Sequence, residues 1–250
     1  MRVHPFTLGL ALVLATSQLP VGATAATGGP VAAFHAEYVT SRNGKPAGRT
    51  TLDLHANADG SWSLTSETHG TEGLARLAGL HVVESTRLRW NEGRPEALSY
   101  DYRQSGGFRQ RTRHADFDWA SGTVTMRHGD TRHSYATVPG LIDRQTVTLA
   151  IMADLARGAR RFDYKVATKT RVDELRYQRG ATATVTVPAG SFEAVAVERL
   201  PDPGDRRARQ SRNWFAPALG WLPVKMQQRE EGGDTITLEL RAWRAAPAPA

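Results

Sequence analysis

The sequence predicts a mainly β protein: a single curved antiparallel meander that closes into a roll or barrel-like sheet, with one amphipathic helix, at about 143–157, packed on it. Three observations predict it. Short runs with alternating apolar and polar residues recur from Phe34 to Leu240, the period of half-buried strands. Gly, Asn and Pro punctuate them at hairpin spacing. One segment alone changes to a strong helical period. About ten to twelve strands with so few helices imply strong curvature, because rolling a sheet hides edges that would otherwise pair with other chains.

Phe34, Ala36 and Tyr38 share one face of FHAEYVTS, and Asn43-Gly44 marks a turn. Leu52 and Leu54 face together in TLDLHA, as do Trp62 and Leu64 in SWSLTS. A three-residue loop at Ala58-Asp59-Gly60, with Gly60 supplying the left-handed position, sets Leu54 opposite Leu64. In FDWASGTVTM, a two-residue turn at Ser121-Gly122 would set Trp119 opposite Val124 and Phe117 opposite Met126, leaving Asp116 against Arg127 on the solvated face. ALSYDYR, FDYKVAT, TVTVPAGSFEAVAVE with a Pro188-Ala189-Gly190 turn, and DTITLELRAW extend the series. In DRQTVTLAIMADLARG, Asp143 is the expected cap, Val147, Ile151 and Leu155 recur every fourth residue, and Gly158 ends the helix. A shorter helical piece is expected at 73–80.

The first 25 residues read as a secretory signal peptide: Arg2, an apolar run from Phe6 to Ala15, and a small-residue cleavage site ending at Ala25. Residues 26–244 then form one β-rich domain and 245–250 a disordered tail. The apolar run is about half of the ~20 residues needed to span a bilayer. The expected location is the periplasm. There is no cysteine, which excludes a disulfide framework, a thiol nucleophile and a lipid-bearing cysteine. A formal charge of +7 suits anionic envelope partners such as lipid or lipopolysaccharide, and outside the cytoplasm nucleic acid is not among the expected partners.

Chemistry-bearing motifs are sparse. His114, Asp116, Asp118, His128, Asp130 and His133 are close in sequence, but the hairpin register turns His128 away from Asp116 and no helical His pair is present. No metal, cofactor or catalytic residue is expected. There is no G-x-S-x-G turn and no phosphate-cradling Gly-rich loop. The carboxylate pairs Asp116/Asp118 and Glu230/Glu231 would serve glycoside hydrolysis only if they faced each other across a cleft.

Two stretches are the candidate ligand-binding surface. PDPGDRRARQSR carries Arg206, Arg207, Arg209 and Arg212, whose guanidinium forks suit phosphate or carboxylate and equally suit a solvated loop. WFAPALGWLPVK brings together Trp214, Phe215 and Trp221, which either seal a corner of the sheet or form an apolar rim. Pro217 to Gly220 read as its turn, and Pro223 as the start of a strand at an edge or bulge, since proline donates nothing to a ladder.

The order ESTRLRWNEGRPEALSYDY (84–102), FDW (117–119), the Asp143 helix, VTVPAGSFEAVAVERL (185–200) and NWFAPALGWLPVK (213–225) resembles the exported bacterial proteins of the domain of unknown function 3108 (DUF 3108) family. The resemblance implies a Gram-negative envelope protein with a rolled, largely antiparallel β-fold. It carries no reaction and no catalytic residues. Its pattern falls on Asp143, Pro188, Gly190, Trp214, Pro217, Gly220 and Pro223, which the residues themselves present as a cap, turns and an aromatic corner. The expected function is non-enzymatic binding of a hydrophobic or amphiphilic envelope component. A polysaccharide or lipid hydrolase using the 114–133 hairpin, and a scaffold for another envelope protein, stand as alternatives.

Overall fold

The computed structural model describes residues 29–107, 110–201, 210–230 and 232–245. Eight strands come first: β1 (Phe34–Arg42), β2 (Lys45–Ala56), β3 (Trp62–Gly70), β4 (His81–Asn91), β5 (Arg94–Ser105), β6 (Arg111–Asp118), β7 (Thr123–His128) and β8 (Thr131–Ala136). A short helix, α1 (Gly73–Leu77), joins β3 to β4, and α2 (Thr146–Ala156) follows β8. The chain continues through β9 (Arg161–Ala167), β10 (Val172–Val187), β11 (Gly190–Arg199), β12 (Gln210–Ala216), β13 (Leu222–Arg229) and β14 (Thr235–Ala245). Ala245, expected in the tail, is the last residue of β14 and pairs with Phe34.

All fourteen strands belong to one antiparallel sheet, in the order β8-β7-β6-β5-β4-β3-β2-β1-β14-β13-β12-β11-β10-β9. Two meanders are therefore joined by the β1–β14 pairing, with β8 and β9 as end strands. The sheet is curved but not closed by a strand ladder. Its seam is spanned instead by Ile142, which bridges to Val166 and exchanges hydrogen bonds with Lys165 O and Ala167 N at 3.0 and 2.8 Å. Tyr135 Oη of β8 donates to Thr168 O at 2.6 Å. Backbone groups that would be exposed on the β9 edge are thus partly paired.

Local chemistry explains most registers. Asn43 and Gly44 both hold positive φ, the requirement of a tight two-residue hairpin. Leu54 lies opposite Leu64 as expected, with Gly60 at φ 80°. The Trp119–Val124 pairing does not form: Phe117 faces Val124 and Ala115 faces Met126. Asp118 Oδ1 accepts the amides of Ala120 and Ser121, each at 3.0 Å, so that four residues, 119–122, make the turn. The register moves by two residues, which preserves the faces but puts His114, not Asp116, opposite Arg127.

Helix α2 lies on the concave face and is buried nearly all round. Val147, Ile151 and Leu155 are buried as expected, and so are Leu149, Ala150, Met152 and Ala153. A one-sided apolar stripe would leave the opposite face polar; here the curved sheet covers both. Around the helix, one large core joins Phe34, Tyr38, Leu54, Leu64, Phe162, Phe215 and Leu240. A smaller cluster holds Ala97, Ala115, Phe117, Val124 and Leu141.

Candidate concave binding site

The meander places alternate turns at opposite rims of the roll. At the rim carrying the 92–93, 188–189 and 217–221 turns, the C-terminal half of α2 meets a packed core. Arg157 Nη1 there donates to Gly93 O at 2.7 Å, and Tyr164 Oη donates to Asp154 at 2.8 Å. Toward the other rim the packing around the N-terminal half of α2 is incomplete.

A pocket of about 400 Å³ lies between α2 and strands β9 to β14, lined by Arg144, Val147, Tyr177, Arg199, Asn213, Gln228 and Glu230 among others. Its size is within the range of about 300–1,000 Å³ that ligand pockets occupy. A second pocket, of about 210 Å³, runs against β1 to β3 and is walled by Phe34, Tyr38, Leu52, Leu64, Leu149 and Met152. The two share Thr148, Met226 and Leu238. Thr148 is therefore a residue of a largely buried helix that borders both pockets. A third pocket, of about 190 Å³, meets the first at Arg144 and Thr168 and adds Arg113, His128 and Lys169.

The same end of α2 holds unusual electrostatics. Asp143 is 2% exposed, and its Oδ1 accepts the amides of Gln145 and Thr146 at 2.8 and 3.2 Å while Oδ2 accepts Thr146 Oγ1 at 2.6 Å. It caps the helix, satisfying donors that a helix start leaves open. Burial nevertheless raises its pKa, because desolvation outweighs those bonds. Burial, and then the charge of Asp143, raise Glu84 likewise. His128 is lowered, first by desolvation and then by the nearby Lys169, Arg113 and Arg111 charges. Thr86 Oγ1 donates to Gln145 Oε1 at 3.0 Å, tying this polar cluster to β4.

The expected ligand-contacting residues are distributed differently. Phe215 is fully buried in the main core. Trp214 projects from the face of β12 opposite the pocket-lining Ser211 and Asn213, with the Arg212 guanidinium 5.0 Å and the Lys225 ammonium 5.9 Å from its ring centroid. Arg212 also pairs with Glu198 at 3.0 Å. Trp221 packs against the core edge beneath Arg179, 5.8 Å from its ring. None of these four lines a described pocket. Arg206, Arg207 and Arg209 lie outside the described residues, although Arg199 and Ser211, on the strands that their segment joins, both line the 400 Å³ pocket.

Pro188-Ala189 is a two-residue turn with Val187 opposite Gly190. Pro217 begins a 3-10 turn that ends at left-handed Gly220. A bulge separates the Trp214–Lys225 and Phe215–Pro223 pairs, as proline in a ladder requires. Tyr38 Oη donates to the Pro223 carbonyl at 2.9 Å across the interior. Asp116 and Asp118 lie on the face away from α2, where Asp116 pairs with His114 at 3.0 Å and Asp118 holds its turn. They do not converge on a cleft.

The model for the family described as "Protein of unknown function (DUF3108)" matches residues 34–241. The chain belongs to the DUF3108 family. That span takes in strands from both meanders and all of α2, so the roll and its enclosed helix are the family domain. No curated protein matches the DUF3108 chain. Among solved structures, a β-barrel-like protein of domain of unknown function DUF1849 from Brucella abortus aligns with a TM-score of 0.55 at 9% identity, covering 87% of this chain and 99% of that one. It shares the fold. MucB aligns with a TM-score of 0.37 at 16% identity over 88% of this chain and 55% of its own. A protein with YmcC-like fold from Bacteroides fragilis aligns at 0.28 and 12% identity, over 87% of this chain and 96% of that one.

The pocket-forming residues escaped the sequence reading for a physical reason. Met226, Leu238, Thr148 and Arg144 carry no motif, and they become a site only where the curvature of the sheet leaves α2 short of its neighbours. The one available signal was Thr148 and Gln145 interrupting the apolar surface of the helix.

Proposed function

We propose that this DUF3108 protein is a periplasmic, non-enzymatic binder of an amphiphilic envelope component, held on the concave face beside α2. The observation that carries the reading is the pair of adjoining pockets that share Thr148, Met226 and Leu238 but differ in polarity. An apolar chain fits the smaller, more apolar pocket, where Phe34, Leu52, Leu64 and Met152 replace water with hydrocarbon at about 25 cal/mol per Å². The polar end of the same ligand fits the wider pocket, among Arg144, Arg199, Asn213 and Gln228. Concave, largely apolar sites with a few placed polar groups are the usual form of such binding. Lipid or another anionic envelope component is the proposed class.

The test is native mass spectrometry of protein purified from its own envelope, followed by organic extraction. The expected result is a stoichiometric lipid adduct that Thr148→Phe removes and Arg212→Ala retains. An unliganded mass that persists after mixing with envelope lipids overturns the proposal.

A further inference from the structure

We propose that Glu67, His69 and His81 form a binding site for a divalent transition metal of the zinc class, on the sheet face away from α2. The site is separate from the concave pockets and does not depend on them. Strand period and register bring the three residues together. Glu67 and His69 are two apart on β3 and therefore project from the same face, and His69 lies directly opposite His81 of β4 while Glu67 lies opposite Val83. Both imidazoles aim Nε2 at one carboxylate oxygen: Glu67 Oε1 is 2.9 Å from His69 and 2.7 Å from His81. The two rings stack with centroids 4.3 Å apart and planes 11° from parallel. The three ligand atoms lie within 4.8 Å of one another.

This is the donor set of a zinc ion, imidazole nitrogen plus carboxylate oxygen. Tetrahedral bonds of about 2.0–2.2 Å set donors about 3.4 Å apart, so each Nε2 must move roughly half an ångström or more from Glu67 Oε1 and the stacked rings must splay. These side chains are between 38% and 56% exposed, so the adjustment takes place on a half-exposed face. Three protein ligands leave a coordination position open to water or a further ligand. His81 also lines a polar groove of about 600 Å³ that crosses β4 to β6 with Ser85, Asp101 and Arg103.

The experiment is calorimetric titration of tag-free mature protein with Zn²⁺, with Co²⁺ absorption as a second readout. One equivalent is expected to bind, with Ca²⁺ and Mg²⁺ not competing. The His69→Ala/His81→Ala variant should lose at least about tenfold in affinity, whereas His114→Ala, which removes another outer-face imidazole held by carboxylates, should bind normally. Circular dichroism and thermal unfolding check that the double variant is folded. Should it not be, X-ray absorption of the wild-type zinc complex decides: two nitrogens and a carboxylate oxygen at about 2.0–2.2 Å support the site. Absence of binding at millimolar zinc, unchanged affinity in the folded double variant, or a shell without two imidazoles overturns it.

Discussion

The two halves of α2 meet different surroundings within one roll. Its C-terminal half buries Ile151, Ala153 and Leu155 in packed core, with Met152 alone reaching the smaller pocket. Its N-terminal half begins at the hydrogen-bonded Asp143 cap and borders two pockets, with a third beside the cap itself. One helix thus serves as a plug at one end and as the wall of a site at the other. The difference teaches that stability and binding are separable here: the packed end can hold the fold while the open end remains available.

The largest expected effect tests that separation. Leu155→Ala at the packed end should cost about 2–5 kcal/mol, the range for buried leucines whose cavity cannot collapse. Leu238→Ala borders existing space and should fall at or below the bottom of that range, as read from urea unfolding midpoints. Equal costs would erase the distinction between the two ends.

Next in size is the wall itself. Thr148→Phe should lower lipid uptake at least about tenfold, equivalent to about 1.4 kcal/mol, with the unfolding midpoint nearly unchanged because the ring enters space rather than packed core. A matching loss of stability would mean that the pockets are part of the packing.

The cap gives a smaller and pH-dependent effect. Asp143→Ala should cost about 1–2 kcal/mol through loss of the cap and of partners for buried amides. Asp143→Asn should cost less. Because the folded state raises the pKa of Asp143, folding favours its protonated form. That contribution is present at low pH and is lost as pH rises from the unfolded value near 3.9 through the raised folded value. Asparagine has no charge to desolvate, so the decline in stability over this window should be shallower in Asp143→Asn, as measured by unfolding at stepped pH.

The smallest effect lies on the outer face. Partial burial pulls the His114 pKa down, but hydrogen bonds to Asp101 and Asp116, at 2.9 and 3.0 Å, leave it raised overall. Its stabilisation should be complete below the unfolded value of about 6.5 and vanish as pH passes through the raised folded value. His114→Gln should therefore be less stable than wild type at acid pH and nearly equal to it above that window. A pH-independent difference would show that the ion pairs contribute nothing.

Much of the fold was legible because strand alternation is local. Phe34, Ala36 and Tyr38, then Leu52 and Leu54, then Trp62 and Leu64, follow from period two and a glycine at a left-handed turn. The Asp118 turn escaped because a side chain accepting two amides lengthened the loop, a choice that apolar pattern alone does not distinguish. The aromatic stretch was open to two readings, a corner or an apolar rim, because which way each ring points depends on partners from other strands.

Sequence by itself determined that this chain forms an antiparallel meander with one capped helix, read as amphipathic, and that it belongs with the DUF3108 proteins. Those features rest on residues a few positions apart. Only tertiary structure decided that β1 pairs with β14 to join two meanders, that the helix is enclosed rather than laid on a surface, and that Glu67, His69 and His81 converge. Each of these depends on contacts between segments far apart in the chain, where curvature and register, not composition, set which side chains meet and where space remains.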